Sequence, residues 1–243
     1  MSQERNPVFV ALDTTDAAEA KAWARRVAGS VGGIKLGLEF FYANGPAGVR
    51  AVMAEVPDKP LFLDLKLHDI PNTVAGGVRA VCALKPRYVT AHVAGGPAML
   101  RAAADAARQA GGADRPKLLG VTILTSLSED DLDRAGFARR PMHEQVARLA
   151  ALARDNGLDG VICSPHEVAT LRAAFGPEFV LMVPGVRPTW SGADDQKRVM
   201  TPAEAMRAGA THLVIGRPIT KAADPAGAAS RIAEEIAGRN AAA

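Results

Sequence analysis

Cysteine is nearly absent: the 243 residues hold two, Cys82 and Cys163, far apart and without metal-type spacing. That excludes a disulfide framework and a thiolate zinc site. Aromatic residues are sparse at 5%, and the formal net charge is only +3. No dense basic block with interleaved aromatics occurs, so no nucleic-acid partner is expected. A mild positive bias suits an anionic small molecule, and a solvated surface explains it equally well. No apolar run approaches the roughly 18 residues of a membrane-spanning helix. The opening MSQERNP is polar, unlike a signal peptide. No membrane partner is expected, and the expected location is cytoplasmic. No linker, repeat or low-complexity stretch divides the chain. One domain over 1–243 is expected, with flexible ends at 1–6 and 239–243.

What the sequence does have is a recurring short apolar run. Eight occur, at 8–13, 32–38, 61–69, 87–94, 117–125, 160–164, 179–186 and 212–217. Amphipathic or Ala-rich stretches lie between them, most clearly at 16–30, 96–112, 142–157 and 202–210, and one at 225–238 follows the last run. Thr201-Pro202 and Asp224-Pro225 are helix starts, and Gly111, Gly157 and Gly209 are expected helix stops. Eight strand-then-helix units predict a parallel sheet covered by helices. Closure into an α/β (β/α)8 TIM barrel is the best single-domain solution for that number in this length. An open doubly wound sheet is the alternative.

In such a barrel the active site lies at the C-terminal ends of the strands. The first run ends in Asp13 and the second carries Lys35. The third, LFLDLKLHD, carries Asp64, Lys66 and Asp69. Residues two apart on a strand share a face. Leu63, Leu65 and Leu67 would then face the helices, and Asp64 and Lys66 the barrel interior. Burying an ion pair there costs several kcal/mol per ion and is seldom recovered, so stability alone explains it poorly. A charged plug filling the barrel is the structural alternative. The fourth run offers His92, the fifth ends in Thr125-Ser126, and the eighth ends in Gly216-Arg217. A glycine beside an arginine fork suits phosphate oxygens. Residues 185–201 form a long polar loop with Arg187 and Gln196, either a lid or a plain surface excursion. His143, His166 and His212 read as surface or structural, His68 as facing away from Asp64 and Lys66, and Cys163 as core.

The stretch FLDLKLHDIPNT resembles the signature of the orotidine 5'-phosphate decarboxylase family, Asp-x-Lys-x-x-Asp followed by Ile-Pro-Asn-Thr, in its common bacterial form. VALD, IKLG, TILTS, PGVRP with its downstream Gln196, and IGRPI appear in family order, so the resemblance covers about residues 8 to 220. It implies a homodimeric (β/α)8 enzyme that decarboxylates orotidine 5'-phosphate to UMP in pyrimidine synthesis, with no metal and no organic cofactor. By position, it implies a charged array of Lys35, Asp64, Lys66 and the neighbouring chain's Asp69, with Lys66 as proton donor. Asp13 and Lys35 would hold the ribose, and Thr73 would accompany Asp69 across the interface. Thr125 and Ser126 would lie near the pyrimidine. Pro184, Arg187, Gln196, Gly216 and Arg217 would serve the phosphate and its lid.

The chemistry suits these residues. Loss of CO2 from C6 leaves an in-plane electron pair that the ring π system delocalises poorly. Without an electron sink, the protein must stabilise it electrostatically. Burial lowers the pKa of a lysine and flanking carboxylates raise it, which is a reason to surround Lys66 with aspartates. Two rivals remain: a magnesium-dependent sugar-phosphate decarboxylase or aldolase on the same barrel, and a pyrimidine-nucleotide-binding barrel without activity.

Overall fold

A computed structural model describes residues 6–191 and 200–238. In chain order the elements are β1 (Val8–Ala11), α1 (Ala17–Val27), β2 (Gly33–Gly37), α2 (Leu38–Ala54), β3 (Leu61–Leu67), α3 (Pro71–Cys82), β4 (Tyr88–His92) and α4 (Gly96–Gly111). There follow β5 (Lys117–Val121), α5 (Glu129–Arg134), α6 (Met142–Asp155), β6 (Gly160–Ile162), α7 (Val168–Phe175) and β7 (Val180–Pro184). The last are α8 (Pro202–Arg207), β8 (His212–Ile215), α9 (Arg217–Thr220) and α10 (Pro225–Ile236). The strands close in sequence order, β8 pairing with β1, and every pair is parallel. This is the expected (β/α)8 barrel, and closure leaves no sheet edge exposed.

Each expected strand is present but ends earlier than expected on its C-terminal side. Local chemistry sets the helix starts. Asp16 accepts the N–H groups of Ala18 and Glu19 at the start of α1. Thr201 and Glu204 form a reciprocal capping box at α8, with Pro202 in the first turn. Asp224 precedes α10 as expected, although its side chain makes no cap hydrogen bond. Gly157 and Gly209 take positive φ where helices stop, but α4 runs through Gly111 and ends at Gly112, at φ +53°. The expected stop was one residue early. α2 carries Gly45 at φ +58° followed by Pro46. That break hides a helix that the sequence pattern alone does not announce.

Two cores result. The larger lies between strands and helices and takes Leu63 and Leu65 from β3, as the alternation predicts. The smaller fills the barrel interior: Phe9, Phe62, Tyr88, Leu119, Val180 and Met182, with Ile162 and Val214 packed against it. Phe9 stands edge-on to Phe62, Tyr88 and His212. The Tyr88 hydroxyl and His212 Nε2 are 2.8 Å apart. Of the two readings offered for His212, surface or structural, the structural one holds.

Candidate active site

Above this aromatic floor the interior opens into a cleft of about 300 Å³. Its wall includes Asp13, Lys35, Asp64, Lys66, Arg187 and Arg217, four cations against two carboxylates. A ligand carrying more than one negative charge would balance that set.

Each charge is placed by backbone geometry. Asp13 follows β1, and Lys35 on β2 is 8% exposed. The Lys35 ammonium donates to Asp13 Oδ1 at 2.7 Å. A Cβ on Gly37 would stand 3.1 Å from Lys35 Nζ, so the glycine leaves room for the ammonium. On β3, Lys66 Nζ donates to Asp64 Oδ2 at 2.6 Å. Asp64 Oδ1 accepts the Thr90 hydroxyl at 2.9 Å, and Thr90 Oγ1 accepts the Lys66 backbone N–H at 2.9 Å. Lys66 has φ +47°, where the β3–β4 register shifts between Leu63 and Leu67. A lysine in that left-handed region costs of order 1–3 kcal/mol and persists only where its surroundings impose it.

The opposite wall comes from β7 and β8. Pro184, Gly185, Arg187, Gly216 and Arg217 all line the cleft. The Arg187 N–H donates to the Met200 carbonyl at 3.1 Å, which ties the chain before residue 192 to the chain after 199. The Arg231 guanidinium on α10 lies over the Trp190 ring at 4.9 Å. Apolar residues close the remainder: Val121, Ile123, Leu124, Ile162 and Val214, with Cys163. Burial pushes the Cys163 thiol well above the usual range.

The cleft thus gathers Asp13, Lys35, Asp64, Lys66, Thr125, Pro184, Arg187, Gly216 and Arg217 from the residues singled out in the sequence. Ser126 is exposed beside Thr125 and is not part of the lining. Asp69 and Thr73 are exposed at the start of α3, outside the cleft of their own chain. The Ile70 N–H donates to Asp69 Oδ1 at 2.6 Å. Gln196 lies outside the described residues, as does the rest of 192–199 within the expected lid. His92 does not line the cleft. Its ring sits 5.2 Å from that of His68. Burial, then His68 and Lys66, lower the His92 pKa, with Asp64 opposing them. Cys163, expected as core, is both 1% exposed and part of the wall. Sequence reasoning missed Thr90, which looks like any β-branched strand residue, and the apolar wall, which has no motif. Among the described residues, no cluster of three or more His, Cys, Asp or Glu could hold a metal ion.

Comparison with known proteins agrees across the chain. Residues 6–232 match the family described as Orotidine 5'-phosphate decarboxylase / HUMPS. The orotidine 5'-phosphate decarboxylase of Paramagnetospirillum magneticum is 56% identical over 234 residues, covering 95% of this chain and 98% of that one. The one from Rhodospirillum rubrum is 56% identical over 237 residues, covering 96% and 95%. The crystal structure of orotidine 5'-phosphate decarboxylase from Lactobacillus acidophilus superposes with a TM-score of 0.83 at 38% identity, covering 95% of this chain and 99% of that one.

Proposed function

The chain belongs to the Orotidine 5'-phosphate decarboxylase / HUMPS family, and from that premise we propose how its cleft works. The protein acts in pyrimidine biosynthesis, converting orotidine 5'-phosphate to UMP and CO2, and we read the reaction as cofactor-free. The observation that carries the proposed mechanism is the Lys66 ammonium held on the Asp64 carboxylate, 2.6 Å away, inside a cation-rich cleft.

The C6–carboxylate bond breaks and its electron pair stays on C6. The Lys66 ammonium lies beside that carbon, offsets the developing charge, then donates its proton to C6. Water returns a proton to the lysine. Asp64 keeps the ammonium aimed. The neighbouring wall of Ile123, Leu124 and Val121 limits water around the ring and strengthens these interactions. Asp13 and Lys35, already paired, take the ribose hydroxyls. Thr125 lies towards the pyrimidine, with the exposed Ser126 next to it.

Arg187 and Arg217, with Gly216 and Pro184, take the phosphate. Phosphate binding is remote from the reacting carbon, so it orients the ring without stabilising one charge state there. The protein works as a cytoplasmic homodimer in which Asp69 and Thr73 reach the neighbouring chain's cleft. Their exposure supports this, as does Ile70 between them, 67% exposed and apolar.

The test is direct. Protein treated with EDTA is mixed with orotidine 5'-phosphate, and ultraviolet absorbance follows UMP formation. Rapid substrate loss is expected. Turnover that appears only when magnesium is restored would overturn the cofactor-free reading. UMP binding without any turnover would mark a binding protein instead.

A further inference from the structure

β3 and β4 fall out of register at the site. Leu63 pairs with Val89, and Leu67 pairs with Ala91, so four steps on β3 meet two on β4. The excess chain includes Lys66, in its left-handed conformation. Its N–H donates not to a β4 carbonyl but to the side chain of Thr90, at 2.9 Å.

The direction of that hydroxyl follows from elementary bonding. A backbone N–H can only donate, so Thr90 Oγ1 accepts from Lys66. An ionised carboxylate can only accept, so the single Thr90 proton goes to Asp64 Oδ1, at 2.9 Å. The other Asp64 oxygen receives the Lys66 ammonium at 2.6 Å. The result is a closed cycle from the Lys66 backbone, through Thr90 and Asp64, to the Lys66 side chain. Thr90 is fully buried, so no solvent can take the place of its hydroxyl. It is not part of the cleft wall.

We propose that Thr90 is a positioning residue for the decarboxylation: its one hydroxyl fixes both the bulge that turns Lys66 into the cleft and the Asp64 carboxylate that receives the ammonium. It acts through those two residues and touches neither substrate nor reacting atoms. The inference rests on the roles given to Lys66 and Asp64 above. The competing account is that Thr90 is a β-branched filler, for which valine would serve as well.

The two accounts separate in Thr90→Val, which keeps shape and branching and removes the hydroxyl. Its kcat should fall about 10- to 100-fold, the loss expected when a hydrogen bond to a charged group is removed. KM for orotidine 5'-phosphate and the Kd for UMP should stay within about twofold of the unmodified protein, because Thr90 is remote from the phosphate grip. Thr90→Ser, which keeps the hydroxyl, should restore kcat to within about threefold, since the bond to Asp64 remains. Lys66→Ala is run alongside. An inactive Lys66→Ala with an unimpaired Thr90→Val overturns the positioning role alone; an active Lys66→Ala overturns the site reading beneath it. Equal losses in the Val and Ser variants, or a KM that rises as far as kcat falls, also overturn the proposal. Should Thr90→Val fail to fold, amide hydrogen exchange in the unmodified protein decides. Slow exchange at the Lys66 N–H supports the bond to Thr90, and exchange at the rate of an exposed amide overturns it.

Discussion

Phe62 and Asp64 lie two residues apart on β3 and contribute to the same barrel interior, yet one belongs to an aromatic floor and the other to a charged mouth. The floor is close-packed: Phe9, Phe62 and Tyr88 meet edge to face, with ring centroids 5.6–6.2 Å apart. The mouth is open, and its charges pair across short distances, Lys35 with Asp13 and Lys66 with Asp64. Floor residues gain from being buried together. Mouth residues are costly to desolvate and keep their place through hydrogen bonds. The difference teaches that a strand can divide its labour along its length as well as between its faces.

Substitutions can break that division or sharpen it. The largest effect belongs to the mouth. Lys66→Ala should cut turnover at least about 10³-fold, by removing both the proton donor and the cation beside C6. UMP binding and the melting temperature should change little; near-normal turnover would contradict the proton-donor role. The floor should show the reverse. Phe9→Ala should cost about 3–5 kcal/mol of stability, from lost transfer energy plus the cavity left behind. Denaturant unfolding measures this, and kcat per folded molecule should hold. Next comes Arg187→Ala, which should raise KM about 10- to 100-fold through loss of a charged hydrogen-bonding fork, in steady-state kinetics with orotidine 5'-phosphate. A fall in kcat at unchanged KM would show that Arg187 acts at the ring and not at the phosphate.

The smallest effect concerns acid. Burial drives the His212 pKa down to about 4, with the Pro7 backbone opposing, and Arg87 and Lys117 adding to the depression. In the unfolded chain it returns to about 6.5. The unfolded state therefore binds the proton more readily between these values. The stability that neutral His212 supports is fully present above about pH 6.5 and is lost as pH falls towards 4. Chemical denaturation from pH 7 to 4 should show this loss, and His212→Gln should flatten it. An unchanged slope would mean that other groups govern acid unfolding.

Much of this was legible in the sequence, for physical reasons. Strands buried on both faces must be apolar runs, so all eight could be found, and a carboxylate and an ammonium inside one of them stood out against that background. The i, i+2 rule placed Asp64 and Lys66 on the interior face. What was hidden depends on pairing between strands. Nothing in LFLDLKL shows that four steps will face two of β4, or that Lys66 will take positive φ. Thr90 was invisible for the same cause: threonine favours strands regardless, and its value lies in which backbone atom comes opposite. α2 was obscured by its internal Gly45-Pro46, and the place of Asp69 and Thr73 outside their own cleft could not follow from one chain's periodicity.

The wall at the end of β6 has a kinetic consequence. The Cys163 thiol is 1% exposed, and burial holds it in the unreactive protonated form. The strands form a closed ring, so no edge strand can peel away to uncover it. Alkylation of Cys163 would then wait on an opening of the packing around the cleft wall. The protein carries its own clock: the labelling rate at saturating reagent reads the rate of that opening, and a nucleotide seated in the cleft should slow it.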